Sequence, residues 1–398
     1  MRHRIITKFF TDLEKNYQYS ILHHANKVFS EEDDIDFVVV CNKNSLKKFI
    51  VNFVKDNKLF LFNLYSIDVN IYRFDISFSE NGVLQHIELD CCCSGFGSNL
   101  QSISPKALLQ NSEKVLVNGS NFNKISNIAE FQYFVRKKAF KKDPISHHVK
   151  YLTSLVPNTN IIEIQKLYDE HTVYFSSLKY KIKILLNKAI VLSKRFFEPN
   201  LLTIAFLGPD GAGKSTIIDV IMNGNFFINK YYFHLKPLCN EKKGNNEILF
   251  DDPHQHRTYS ESKSYFKLLY FIGQYNLGWL KNIFPKRFKS SPIIIFDRYF
   301  DDIFVDHKRY RYGGKIQIAK VFKRFIPSPD ITFILTAEPS VIYSRKKEVK
   351  YEELERQVGL YRKLGAMENF FNINVDAKPD DIVLKINNII MEKMNERF

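Results

Sequence analysis

The order of apolar and polar positions predicts an α+β arrangement for roughly the first ninety residues. Helical spacing covers Ile6–Ser20, and a short apolar run at Phe37–Cys41 predicts a buried strand. A second helix is predicted over Ser45–Asn57, where apolar residues recur every three or four positions. Extended stretches follow at Asp68–Phe78 and Leu84–Cys92, with an Asn-Gly pair between them that is typical of a hairpin turn.

The pattern changes twice after this region. Residues 104–195 read as helical and become increasingly basic, until Glu198-Pro199-Asn200 breaks the helix. Beyond that break, apolar strands alternate with amphipathic helices, as in a parallel α/β domain. We therefore predict an α+β core over 1–103, a helical extension and connector over 104–198, and an α/β domain over 199–398.

The segment Leu178–Arg195 is an amphipathic basic helix. Its apolar positions fall on one face, namely Leu178, Ile182, Leu185, Ala189 and Leu192. Six basic side chains lie largely elsewhere, namely Lys179, Lys181, Lys183, Lys188, Lys194 and Arg195. Such a helix either rests on a membrane surface or packs its apolar face on its own domain. We expect the packed arrangement, because it is the ordinary use of the pattern.

Composition and charge narrow the class of protein. With 398 residues, 45% apolar and 25% charged, the chain has the profile of a globular protein of two domains. The sequence has no long apolar run and no paired-cysteine pattern, and its first residues do not have the pattern expected of a signal peptide. We therefore expect a cytoplasmic protein with five reduced thiols. The net charge of +15 fits phosphorylated ligands, and without a nucleic-acid-binding motif we expect no nucleic-acid partner. The sequence allows a homodimer.

A glycine-rich segment joins the first strand of the second half to the helix after it. Leu201–Leu207 is apolar except for one threonine, which predicts a strand buried on both faces. Directly after it stands Gly208-Pro209-Asp210-Gly211-Ala212-Gly213-Lys214-Ser215-Thr216, followed by apolar helical positions. This is the G-x-x-x-x-G-K-S pattern of a phosphate-binding loop, in the strand–loop–helix context that it requires.

The chemistry of this loop predicts an ATP and Mg²⁺ site. Its glycines let successive backbone N–H groups converge on phosphates, and the following helix adds its positive N-terminal end. Lys214 supplies a positive charge to the β- and γ-phosphates, while the hydroxyl of Ser215 is a ligand for Mg²⁺.

Charged residues also follow two later predicted strands. The strand Pro292–Phe296 ends in Asp297-Arg298-Tyr299, where the carboxylate is suited to orient a metal beside the loop; a surface ion pair is the alternative. The strand Asp330–Thr336 leads into a helix carrying Arg345. An arginine there would neutralise charge on a transferred phosphoryl group, unless it belongs to a solvated charged helix.

The motifs GPDGAGKST, FDRY and SRKKE…EELERQ…YRKL together resemble the thymidylate kinase superfamily over roughly residues 200–398. The resemblance implies that Lys214, Ser215 and Thr216 bind ATP phosphates and Mg²⁺. It also implies that Asp297 orients the metal.

The resemblance further implies roles at the acceptor. Asp210 would meet the sugar of an acceptor nucleotide, and Arg298 would hold the acceptor's phosphate. Arg345, together with Arg356, would belong to a lid that closes over the reaction.

The sequence departs from thymidylate kinases where the base is read. Asp306 and His307 stand where Tyr and Gln are expected, so the acceptor should differ from dTMP. The stretches FDRY…VDHKRYRYGG, YYFHLKP and DPH look like a divergent branch associated with bacterial surface-polysaccharide clusters. Six basic residues could line an anionic acceptor site, or be structural or surface residues, namely His234, Lys236, His254, Lys308, Arg309 and Arg311.

The first half carries a separate acidic pattern. Strand alternation places Asp34 and Asp36 on one side of the chain, and Asp90 follows on a later strand. Two strands that supply D-x-D and a third acid can hold a pair of Mg²⁺ ions for nucleotidyl transfer. The pattern resembles the nucleotidyltransferase superfamily over residues 18–95, although the usual Gly-Ser turn is missing and Ser20 is its only partial substitute. Solvated acids at a strand start are the alternative.

These patterns together predict a cytosolic, bifunctional-looking enzyme. The main interpretation is a kinase that transfers the γ-phosphoryl of ATP to a nucleotide, sugar or phosphorylated metabolite, in glycan precursor synthesis by family association. One alternative is nucleotidyl transfer through Asp34, Asp36 and Asp90, with a supporting P-loop domain. Another is an ATP-gated binding or scaffold protein that transfers little phosphate.

Overall fold

The chain folds into two compact units. The computed structural model describes residues 1–30, 34–68, 71–80, 83–93, 105–224, 229–238, 257–289 and 292–397. One unit comprises Met1–Glu198 with Met391–Phe398, and the other comprises Pro199–Ile390. The change of unit falls at a proline, which cannot continue the helix before it.

The first unit is built on one mixed sheet. Its strands are β1 Tyr19–Ile21, β2 Ile35–Val39, β3 Phe60–Asp68, β4 Ile71–Glu80, β5 Val83–Cys93, β6 Glu113–Val117 and β7 Ser120–Lys124. Their order across the sheet is β3-β4-β5-β2-β1-β7-β6. Strands β2 and β5 are parallel neighbours whose register pairs Asp36 with Asp90. The predicted Asn81-Gly82 turn lies outside the described residues.

Seven α-helices among the described residues accompany this sheet. They are α1 Arg2–Asn16, α2 Lys43–Asp56, α3 Pro105–Leu109, α4 Asn127–Lys141, α5 Val149–Leu155, α6 Ile161–Ser176 and α7 Leu178–Phe197. Phe9 of α1 lies at the centre of the core, with its ring centroid 5.2 Å from Phe53 and 6.1 Å from Phe37. These edge-to-face contacts join α1 and α2 to the sheet.

The prediction of continuous helix from residue 104 is wrong at 113–124. This stretch forms the hairpin β6–β7, which extends the same sheet as residues 19–93. Its two-residue loop is Asn118-Gly119, with φ of 47° and 79°. Both residues are left-handed, as a type I′ turn requires, and Asn-Gly is the favoured pair for that turn.

The prediction that α7 packs through its apolar face is also wrong. Leu178, Ile182 and Leu185 are exposed, and the buried residues of the helix are Tyr180 and Val191 on the other side. Periodicity identifies an apolar stripe, but it does not identify the side of the helix that meets a partner.

The second unit is a five-stranded sheet in which every pairing is parallel. Its strands are β8 Leu202–Leu207, β9 Asn229–His234, β10 Pro292–Asp297, β11 Ile331–Thr336 and β12 Phe370–Asn374, in the order β12-β11-β8-β10-β9. Its helices are α8 Lys214–Asn223, α9 Glu261–Gly278, α10 Ile316–Lys323, α11 Pro339–Arg345 and α12 Tyr351–Leu364. Helix α13 Pro379–Asn395 belongs to this unit up to Ile390, and its remaining residues are counted with the first unit. The predicted parallel α/β fold, preceded by an α+β unit, is confirmed.

Strand register brings the two charged segments after β8 and β10 together at one edge of this sheet. Strands β8 and β10 are parallel neighbours, with Phe206 paired to Asp297. The backbone N–H of Arg298 then donates to the carbonyl of Phe206 at 3.0 Å. The loop after β8 and the Asp-Arg pair after β10 therefore lie at the same carboxyl edge, which is the usual ligand edge of such sheets.

The hairpin turn gives a testable prediction for stability. Gly119→Ala places a side chain at a left-handed φ, so we expect the free energy of unfolding to fall by about 1 kcal/mol. Gly359→Ala, in the exposed interior of α12, should instead raise it by up to about 1 kcal/mol. Urea unfolding followed by circular dichroism measures both; equal effects of the two substitutions would contradict the turn assignment.

Candidate functional site

The loop between β8 and α8 is shaped by three glycines in left-handed conformations. Gly208, Gly211 and Gly213 have φ of 149°, 85° and 76°. A Cβ atom on Gly208 would lie 2.3 Å from the carbonyl oxygen of Leu335 in β11, so this position tolerates no side chain. The backbone is thereby free to curl and to direct N–H groups inward, as a phosphate cradle requires.

Lys214 points into this loop. Its side chain is buried, and its ammonium donates hydrogen bonds to the carbonyl oxygens of Gly208 and Pro209, both at 2.9 Å. Burial, followed by the nearby charge of Arg298, lowers the pKa of Lys214 to about 7. A bound polyphosphate would replace the weak carbonyl partners by charged ones and restore the full positive charge.

Ser215 and Thr216 occupy the first turn of α8, directly after Lys214. Both residues are exposed, at the end of the helix where backbone N–H groups have no partner within the helix. Ala212, three residues before Ser215, is by contrast buried. The two hydroxyls suit phosphate oxygens and a magnesium ion.

Asp297 ends β10 beside the loop with one oxygen available. Its Oδ2 accepts from the hydroxyl of Tyr232 at 3.2 Å and lies 3.5 Å from Nδ1 of His234. Its Oδ1 is buried and has no hydrogen-bond partner among the described residues. Burial raises the pKa of Asp297, but His234 and the charge of Lys214 outweigh it and hold the pKa below its usual value. An ionised carboxylate with an unpartnered oxygen fits Mg²⁺.

Arg298 is a buried cation held by two carboxylates. It adopts a left-handed φ of 69° and is 5% exposed. One end of its guanidinium donates to Asp210 of the loop, and the other donates to Asp302 at 2.6 Å. Asp302, which is fully buried, also accepts from the hydroxyls of Tyr310 and Tyr361. These contacts hold the pKa of Arg298 above its usual value, against the effect of burial.

Arg309 is a second arginine on the same loop carboxylate. It donates to Asp210, and its Nε donates to Asp306 at 3.0 Å. Asp306 is one of the two departures from the thymidylate kinase pattern, and it is buried. The departure therefore has a structural consequence: the carboxylate at 306 orients a guanidinium toward Asp210. Sequence reasoning named Arg309 only as one basic residue among six, because the fold is needed to bring it to the loop.

The two arginines predicted to belong to a lid, Arg345 and Arg356, bond to groups outside the glycine loop. Arg345 is exposed and donates to the carbonyl of Val375 at 3.2 Å, while Arg356 pairs with Glu353. The residue after Arg345 approaches the loop more closely, since a Cβ on Gly211 would lie 3.1 Å from Cβ of Lys346. The connection after α11 thus packs on the glycine loop.

Two of the other basic residues lie over aromatic rings that line a shallow cleft along α9. Its volume is about 350 Å³, and it is lined by Tyr259, Lys263, Phe266, Lys267 and Tyr270. Lys236 lies 5.1 Å from the ring centre of Tyr270, and Arg311 lies 4.3 Å from that of Tyr259. These cations stack on aromatic rings. Lys308 is exposed, and His254, like Cys239, lies outside the described residues.

The three N-terminal acids come together at the junction of β2 and β5. One carboxylate oxygen from each of Asp34, Asp36 and Asp90 lies within 4.8 Å of the other two. Arg73 of β4 occupies this cluster, donating to Asp34 at 2.8 Å and to both oxygens of Asp90. Burial and the neighbouring acids raise the pKa of Asp90 to about 6, against the bond from Arg73.

Asp36 has a separate set of partners. Its Oδ2 lies 2.6 Å from Nε2 of His23 and 2.7 Å from the ammonium of Lys137. Burial opposes ionisation, but these two partners outweigh it and lower the pKa of Asp36. Ser20, the partial substitute for the missing Gly-Ser, is buried and lies 2.6 Å from the hydroxyl of Ser112. The acids can ligate a cation, yet the cations Arg73 and Lys137 already bind them, and His23 makes a hydrogen bond to Asp36.

Comparisons with known proteins give limited information. No protein-family model matches the sequence, and no curated protein sequence matches it. Among solved structures, thymidylate kinase from Ehrlichia chaffeensis aligns with 18% identity and a TM-score of 0.32, covering 48% of this chain and 99% of that chain. At this identity and score, the similarity carries no inference about activity or substrate.

The lowered pKa of Lys214 predicts proton uptake on ATP binding. At about pH 8 the free side chain is largely neutral, so phosphate binding must bring a proton with it, and affinity should fall as pH rises above about 7. Calorimetric titration in two buffers of different ionisation enthalpy measures this uptake. We expect nearly one proton at about pH 8, little at about pH 6, and none from Lys214→Arg. Equal uptake by the arginine variant would contradict the assignment.

Proposed function

We propose that the second unit is an ATP-dependent phosphotransferase acting on a small anionic acceptor. The observation that carries the proposal is the grouping of three features at one edge of the sheet. Lys214 is buried inside a glycine loop, Asp297 has an unpartnered oxygen, and Asp210 gathers two arginines. These are the parts that phosphoryl transfer requires, namely a phosphate cradle, a metal ligand and cations for the transferred charge.

ATP would bind through residues of the loop and of α8. The backbone N–H groups of the loop, the ammonium of Lys214 and the hydroxyl of Thr216 would hold its phosphates. Ser215 and Asp297 would hold Mg²⁺, which supplies charge neutralisation on the phosphates when bound. The catalytic contribution of the chain is then positioning and electrostatic stabilisation, without a covalent intermediate.

Arg298 and Arg309 support an acceptor that carries its own negative charge. Both guanidiniums converge on Asp210, and a phosphate or carboxylate can take the place of one carboxylate oxygen in such a pair. The charge on Asp210 would orient an acceptor hydroxyl. Because Asp306 and His307 replace the residues that read thymine, dTMP should be a poor acceptor. The sequence association with surface-polysaccharide clusters supports a nucleotide, sugar or phosphorylated glycan precursor.

The proposal places the reaction in the cytoplasm, where ATP is available.

The proposed activity is tested by ATP consumption with Mg²⁺ across a panel of nucleoside monophosphates, sugars and sugar phosphates. We expect ADP formation that depends on one class of acceptor, is weak with dTMP, and is lost in Lys214→Ala. Tight ATP binding without turnover on any acceptor would contradict the proposal and favour an ATP-gated scaffold.

The role of Asp297 is tested by a conservative substitution. Asp297→Asn keeps the shape but removes the charge that holds the metal, so we expect kcat to fall on the order of 10²-fold. Tyr232→Phe removes only a supporting hydrogen bond to Oδ2 and should cost about tenfold or less. Steady-state kinetics at varied Mg²⁺ distinguish the two; an unchanged kcat in Asp297→Asn would exclude its role.

A second candidate function is metal-dependent nucleotidyl transfer in the first unit. The observation that favours it is the grouping of Asp34, Asp36 and Asp90 within 4.8 Å. This candidate is secondary to the kinase, because Arg73 and Lys137 already neutralise the carboxylates whose negative charge would be needed to bind a pair of metal ions. A loaded site would require these cations to move onto the triphosphate of a nucleotide.

Metal binding tests this second candidate without relying on activity. Titration of Mn²⁺ followed by electron paramagnetic resonance should detect binding to wild type that is lost in the double variant Asp34→Asn, Asp36→Asn. Arg73→Gln removes the competing cation, so we expect it to tighten Mn²⁺ binding by about tenfold. Metal binding that the double substitution leaves unchanged would exclude a site at these acids.

A further inference from the structure

Helix α7 presents its apolar stripe to solvent. Residues spaced by three or four positions share one side of a helix, and six apolar residues of α7 follow this spacing. They are Leu178, Ile182, Leu185, Ala189, Leu192 and Phe196. Leu178 is 74% exposed, Leu185 68% and Ile182 51%. The stripe runs the whole length of the helix, so it is far longer than a chance cluster of surface leucines.

The opposite side of α7 attaches it to its own unit. The ring of Tyr180 is buried, with its centroid 4.9 Å from that of Phe175 in α6 and 6.4 Å from that of Phe140 in α4. Near the other end, Arg195 donates to the carbonyl of Ser66 in β3 at 3.2 Å. These contacts fix the rotation of the helix, so its apolar stripe faces outward in the folded unit.

Lysines border the stripe on both sides. At about 100° per residue, Lys181 and Lys188 fall along one border, while Lys179 and Lys183 fall along the other. All four side chains are exposed, and residues 178–197 include no acidic residue. Long lysine side chains in this position can lie along an apolar layer while their ammonium groups reach polar headgroups.

We propose that α7 is a membrane-surface helix that lies flat on a bilayer containing anionic lipids. An exposed apolar face bordered by cations is the pattern of helices that rest at the headgroup boundary. Among the described residues, no helix is long and apolar enough to cross a membrane, so α7 attaches at the surface and does not span.

Charge decides between a membrane and a second copy of the chain. Two copies meeting through α7 would bring two rows of lysines together, which costs free energy by like-charge repulsion. Anionic headgroups offer the complementary charge to both borders at once, and each lysine near such a surface strengthens binding.

Vesicle co-sedimentation tests the proposal on the full-length protein. Wild type is mixed with phosphatidylcholine vesicles, with or without phosphatidylglycerol, at low and at high salt. We expect binding only to the anionic vesicles and a strong decrease at high salt. The quadruple variant Lys179→Gln, Lys181→Gln, Lys183→Gln, Lys188→Gln should bind at least about tenfold more weakly. The apolar variant Ile182→Gln, Leu185→Gln should also bind about tenfold more weakly.

Two controls match these variants in charge and exposure. Lys8→Gln, Lys48→Gln, Lys55→Gln, Lys106→Gln removes the same charge from exposed positions elsewhere in the unit. Leu116→Gln, Ile128→Gln removes two exposed apolar residues, which are 68% and 64% exposed. Both controls should bind like wild type.

Three outcomes would overturn the proposal. One is no binding of wild type to anionic vesicles. Another is equal loss in the test and control variants, which would reflect only total charge. The third is a dimer in solution that Ile182→Gln, Leu185→Gln dissociates while vesicle binding is absent, which would assign the stripe to a contact between copies. ATP turnover enters none of these readouts, so they stand apart from the kinase proposal.

Discussion

A buried arginine between two carboxylates organises the carboxyl edge of the sheet in the second unit, where the glycine loop lies. Arg298 cannot remain charged in the interior unless its guanidinium is fully paired, because desolvating a charge costs several kcal/mol. Asp302, fixed by two tyrosine hydroxyls, supplies one partner, and Asp210 of the glycine loop supplies the other. The same ion pairs that stabilise the cation therefore attach the loop to the end of β10 and set the place of Lys214 beside it.

In the acidic cluster of the first unit, the carboxylates that could bind a metal ion are themselves paired with cations. There the carboxylates of Asp34 and Asp90 hold the cation Arg73, and Asp36 holds Lys137. In the second unit, by contrast, the ammonium of Lys214 donates hydrogen bonds to the carbonyl oxygens of Gly208 and Pro209 and lies 3.8 Å from Oδ1 of Asp210, a carboxylate that two arginines already hold. Among the described residues, Oδ1 of Asp297 has no hydrogen-bond partner. A phosphate bound in the second unit would add negative charge beside Lys214. A metal ion bound in the first unit would have to displace Arg73 and Lys137 from the carboxylates. This difference is why phosphoryl transfer is the main proposal.

The sequence predicts those features that depend on neighbouring residues in the chain. The strand–loop–helix around Gly208–Thr216, the strand that follows Asp36 and the strand carrying Asp90 are of this kind, since local periodicity and turn chemistry determine them. The pairing of those two strands in the first unit is a tertiary feature that only the fold shows. Features that depend on tertiary contacts were missed. The place of Arg309 requires the fold of residues 300–312, and the outward side of α7 depends on what packs against Tyr180. The Asn118-Gly119 hairpin had a local signal that a helical interpretation of its surroundings concealed.

Identifying the products that carry the phosphates of ATP tests the central claim most directly. We would follow ATP, Mg²⁺ and a small-molecule metabolite extract by ³¹P NMR in the presence of the full-length protein. The account predicts ADP together with a new resonance on a small acceptor, from a phosphoester if a hydroxyl group receives the phosphoryl group or from a phosphoanhydride if a phosphate receives it. Pyrophosphate with a new phosphodiester resonance would instead identify nucleotidyl transfer as the activity of the chain. Unchanged ATP, or inorganic phosphate alone, would contradict phosphotransfer by the second unit.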